Sequence, residues 1–60
     1  MTITITISTE NAAFGDDERD KGAEVARILR ALAFSAEYRN NLSGPILDMN
    51  GNRVGMVEVE

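Results

Sequence analysis

The chain predicts an α+β fold: a single β-α-β-β domain in which a three-stranded, mainly antiparallel sheet carries one helix on one face. Three observations predict it. Residues 2–8 alternate strictly between hydroxyl and isoleucine side chains, residues 19–39 carry apolar side chains at helical spacing, and residues 45–59 form two β-rich runs on either side of Asn50-Gly51. Sixty residues make one domain, and at that size folding hides only about 60% of the surface of the unfolded chain.

The first strand covers 2–8. Its period of two puts Ile3, Ile5 and Ile7 on one face and Thr2, Thr4, Thr6 and Ser8 on the other. An acidic loop over 9–18 follows, in which Gly15 breaks the run and Asp16 or Asp17 is placed to cap the coming helix. The helix spans 19–39. At 100° per residue Val25, Ile28, Leu29, Leu32 and Ala36 gather on one side as its core face, and Asn40, Asn41 and Gly44 end it. Strands over 45–49 and 52–59 then form a hairpin through Asn50-Gly51, the preferred pair for a type I′ turn.

On phase grounds Gly55, Val57 and Val59 join the three isoleucines under the helix, with Gly55 permitting close backbone approach and Leu47 and Met49 completing the core. That leaves Ile46, Val54 and Met56 beside the threonines on the far face. Two partners suit them: a second copy, which makes a homodimer, or a loop folded over them through Ala13 and Phe14.

The absence of Cys and His removes disulfides, thiolate nucleophiles, imidazole acid-base catalysis and the usual zinc ligands. No cofactor and no enzymatic activity is expected. Asp48-x-Asn50-x-Asn52 opens like a calcium loop, but Arg53 stands where the turn glycine is needed and Val59 where the bidentate acid is needed, so no metal is expected either. Residues 1–9 lack the basic start and apolar run of a secretory signal, and no stretch is long and apolar enough to span a membrane; the expected location is cytoplasmic. Ten acids against six bases give a net charge of −4, which disfavours direct contact with nucleic acid or an anionic membrane and favours a basic partner.

The candidate partner-binding residues are Asp16, Asp17, Glu18, Asp20, Glu24, Phe34 and Tyr38. Glu10, Asp16, Asp17, Glu18, Asp20 and Glu24 place six acids within fifteen residues, opposed only by Arg19 and Lys21. Helix capping explains some of them. Asp20 and Glu24 form an i, i+4 carboxylate pair with no pocket built around it, so both are expected to be solvated. Phe34 and Tyr38 fall on the helix face away from the core, either as interface anchors beside Arg27 and Arg30 or, for Phe34, folded under the loop near Leu42.

In the arrangement ITITIST, NAAF, EVARILRALA and LDMNGNRVGMVEVE the chain resembles small proteins carried by bacteriophages and prophages. In size and acidity it is also similar to phage-encoded anti-defence proteins of the anti-CRISPR type. That resemblance implies a non-enzymatic inhibitor acting in the host cytoplasm on a basic nucleic-acid-binding protein, such as a CRISPR effector subunit, whose DNA- or PAM-binding surface it blocks by acidic mimicry. The alternative expectation is a small structural or assembly module that dimerises through Ile46, Val54 and Met56.

Overall fold

The computed structural model describes residues 1–40 and 42–60. Strand β1 (Ile3–Ile7), a 3-10 turn (Ala12–Phe14), helix α1 (Glu18–Tyr38), strand β2 (Gly44–Leu47) and strand β3 (Arg53–Val59) follow in that order. The three strands form one antiparallel sheet in the order β1-β3-β2. This is the expected α+β architecture, with the 3-10 turn added inside the acidic loop. The sheet has β1 at one edge and β2 at the other.

Local chemistry explains the helix limits. Asp17 has extended backbone (φ −117°, ψ 170°) and its carboxylate accepts the Asp20 N–H, so it is the N-cap. At the other end the Arg39 N–H donates to the Ser35 carbonyl at 3.0 Å and Asn40 turns left-handed at φ +52°. Asparagine is among the few residues that take that conformation at a helix terminus. Asn41, expected to help stop the helix, lies outside the described residues.

The register of β1 on β3 agrees with the sequence phase, pairing Ile3 with Val59, Ile5 with Val57 and Ile7 with Gly55. The hairpin differs. Ile46 pairs with Gly55 and Leu47 with Arg53, so Val54 is an extra residue on β3 and the strand alternation breaks there. Directly opposed residues share a face, which turns Ile46 toward α1 with Gly55 and Val57. Ile46 and Val54 are therefore core residues, packed with Phe14, Ile28 and Val57. Leu47 and Met49, expected there, are exposed. The far-face patch proposed for a second copy loses two of its three members, and the face retains Thr4, Thr6, Met56 and Glu58. The loop reading was right for Val54, since Phe14 and Ala13 pack in the same cluster.

The hairpin turn also departs from type I′. That type needs positive φ at both central residues, but Gly51 alone is left-handed here (φ +85°) and Asn50 is not. The Gly51 N–H donates to the Asp48 carbonyl at 3.1 Å and the Asp48 N–H to the Asn52 carbonyl at 2.8 Å. The loop is thus one residue longer than the Asn-Gly pair predicts, with Asp48 and Asn52 closing it.

Candidate functional site

Asp16, Asp17, Glu18 and Asp20 are all exposed, at the end of the molecule where α1 begins. Glu10 is exposed as well. Among the described residues none of these five forms an ion pair. Asp17 holds its cap bond to the Asp20 N–H at 2.8 Å, and its remaining charge faces solvent beside the positive end of the helix dipole. Gly15 supports this end of the chain. Its φ of +69° favours glycine, and a Cβ there would come within 2.5 Å of the Asp20 Cβ.

Phe34 and Tyr38 point outward as expected, more than half exposed. Their rings lie 4.8 Å apart at 39°, and the Arg39 guanidinium stands 5.9 Å from the centre of the Phe34 ring. The alternative in which Phe34 tucks under the following loop does not occur. At 1.5 Å per residue the aromatic pair is roughly 20 Å along α1 from Asp20. The acids and the aromatics are therefore two surfaces on one rigid rod.

Glu24 does not belong with the acidic surface. It is 3% exposed and fully engaged: Arg27 donates to it through Nε at 2.6 Å and Nη2 at 3.0 Å, and the Met49 N–H donates at 2.9 Å. Arg27 Nη2 also donates to the Leu47 carbonyl at 3.2 Å. The expectation of a solvated carboxylate fails because the β2–β3 loop closes over this turn of α1. Beside it Asp48, 5% exposed, accepts the N–H groups of Asn50 (2.8 Å) and Asn52 (2.9 Å) and the Asn11 side-chain amide (2.7 Å). Asn11 in turn accepts the Ala13 N–H and caps the 3-10 turn. These two carboxylates staple three segments together. The sequence cues to them were the i, i+3 spacing of Glu24 and Arg27 and the Asp at the loop entrance, a residue that commonly hydrogen-bonds backbone two positions on.

The hydrogen bond from Arg27 holds the Glu24 carboxyl below its ordinary value of 4.5, against the opposing effect of burial. Burial is the largest single influence on Asp48 and pushes it up, but the bonds from Asn52, Asn50 and Asn11 together outweigh it and hold it below 3.8. A depressed folded value means the unfolded chain takes up protons first as pH falls. The stabilisation from both groups is complete above about pH 5 and is lost as pH drops through their folded values. Thermal melts from pH 7 down to pH 2.5 should therefore be flat at first and then fall steeply. Asp48→Asn and Glu24→Gln should each lower the plateau and reduce the acid drop; a drop of undiminished size in both variants would assign it elsewhere.

Among the described residues no cluster of acids is arranged to hold a metal ion, and no helix is long and apolar enough to cross a membrane. No buried side-chain polar atom there lacks a hydrogen-bond partner. No protein-family model, curated protein or solved structure matches the chain.

Proposed function

We propose that this chain is a non-enzymatic binding protein whose acidic end occupies the basic surface of a nucleic-acid-handling protein and excludes the nucleic acid. One observation carries the reading: Asp16, Asp17, Glu18 and Asp20 stay exposed on a single end and form no ion pair among the described residues, while Glu24, the acid nearest them along α1, is turned inward. Clustered like charge costs folding free energy through self-repulsion. A basic partner relieves that cost. Duplex DNA presents one negative charge per ~1.7 Å, so a small rigid acidic knob matches a local feature such as a PAM-reading pocket rather than a long groove. Phe34 and Tyr38 supply a second, apolar contact to a partner that reaches along α1.

The structure refines the test. Asp17 caps the helix, so reversing its charge confuses a binding loss with a folding loss. Asp16→Lys and Glu18→Lys with Asp17→Asn remove the negative field and keep a capping side chain. Exposed ion pairs contribute ~0.2–1 kcal/mol each, so losing three of them should weaken binding by ~0.6–3 kcal/mol, about threefold to a hundredfold. Immobilised wild-type chain should retain nucleic-acid-binding proteins from a bacterial lysate at low salt, release them at high salt or on addition of duplex DNA, and retain few of them as the triple variant. Equal retention by the variant would overturn the acidic reading.

A further inference from the structure

The two edges of the sheet are not alike. The Thr2 and Glu60 backbones exchange both N–H to carbonyl bonds (2.7 and 2.9 Å) and the Ser8 N–H donates to the Val54 carbonyl, so the even-numbered residues of β1 bond to β3. By alternation the N–H and carbonyl groups of Ile3, Ile5 and Ile7 face outward, away from β3. This open edge carries no charge, no proline and no bulge, the devices that ordinarily block strand addition. On the opposite edge the same alternation turns the Pro45 nitrogen outward, where it has no hydrogen to donate, and the β2–β3 ladder is broken next to it by the bulge at Val54 of β3.

An apolar groove of about 250 Å³ runs alongside β1, lined by Ile3, Ile5, Leu29, Leu32, Ala33 and Ala36. Ile3, Ile5 and Leu29 are 43%, 47% and 46% exposed in it, although Ile3, Ile5 and Leu29 read from the sequence as core. The total surface is 4454 Å². A compact monomer of this 6.5-kDa mass exposes about 3,800 Å². The excess of roughly 600 Å² reaches the lower end of what each partner of a stable interface buries, about 600–1,000 Å².

We infer that β1 pairs antiparallel with β1 of a second copy, about a two-fold axis through Ile5, to give a continuous six-stranded sheet whose two grooves merge into one core. The strand is self-complementary in that register. Ile5 faces its own copy and Ile3 faces Ile7, so the outward backbone groups are all matched and isoleucines meet isoleucines under the helices. Charge favours the same arrangement. β1 runs toward the acidic end of the molecule, and antiparallel pairing sends the two acidic ends to opposite extremes of the dimer. Because the β2 edge is blocked, growth stops at two.

The 60-residue chain is short enough for chemical synthesis, so Ile5 can be replaced by N-methyl-isoleucine, which removes one outward N–H and leaves the side chain and the β1–β3 bonds in place. Ala33→Glu, on the exposed flank of α1, places charge in the merged groove without touching β1. Sedimentation equilibrium across the micromolar to millimolar range should give twice the chain mass for the wild type and the chain mass for both variants, with unchanged far-UV circular dichroism. Should the methylated chain fail to fold, Ala33→Glu decides alone. A wild-type monomer throughout that range, filaments, or a dimer that survives Ala33→Glu would overturn the inference.

Discussion

Gly55→Ala should leave the chain unfolded at 25 °C. Gly55 lies in the central strand, opposite Ile7 on one side and Ile46 on the other. A Cβ at this position would collide with the Thr6 carbonyl oxygen and stand 3.2 Å from the Ile7 Cα. Both are backbone atoms, so no side-chain rotation relieves the clash; β1 has to move away from β3 and give up its ladder. Adding a methyl group to a packed core costs ~1–3 kcal/mol when side chains can adjust, and displacing a strand costs more. At about 0.05–0.15 kcal/mol per residue the entire stability of a chain this size is ~3–9 kcal/mol. A disordered far-UV spectrum is the expected outcome. Retention of a urea midpoint near that of the wild type would show that β1 is not held against Gly55 as described.

Gly55 was legible in the sequence because the argument for it needed only strand phase and a missing side chain. The same holds for β1 and α1, whose periods of two and of 3.6 residues are properties of neighbouring side chains and survive any tertiary context. The exchange of Ile46 and Val54 for Leu47 and Met49 was not legible. It depends on a single extra residue at Val54, and a bulge is a property of two paired strands rather than of either one. Glu24 was misread for a related reason: the backbone that meets it is that of Met49, and its partner Arg27 is held by the Leu47 carbonyl, each twenty or more positions away. Asp16, Asp17, Glu18, Asp20, Phe34 and Tyr38 were legible as exposed because nothing distant covers them. The open groove at β1 was hidden behind a correct assignment, since Ile3, Ile5 and Leu29 do face the core side and yet stay half exposed there.

Phe14→Ala should come close to abolishing folding and should do so by a different route. Phe14 is fully buried and, among the described residues, is the only large side chain so enclosed, with Ile28 on the helix and Ile46, Val54 and Val57 on the sheet around it. Much of the α1 face beyond Ile28 looks onto an open groove, so Phe14 stands where helix, sheet and loop are joined most tightly. Truncating a buried Phe to Ala costs ~3–5 kcal/mol, the lost transfer free energy plus the cavity left behind. That is a large share of the ~3–9 kcal/mol available. Phe14→Leu keeps most of the volume and should cost less than about 1.5 kcal/mol. Urea titrations of the two variants should show a large midpoint shift for Ala and a small one for Leu, both at an unchanged slope. Equal, small shifts would mean that the 3-10 turn is not anchored through this ring. The same experiment bears on function, because the Phe14 ring fixes the segment that leads into Asp16, Asp17, Glu18 and Asp20. The Leu variant should therefore bind a basic partner like the wild type, whereas the folded fraction of the Ala variant should present its acids on a loosened loop and bind more weakly.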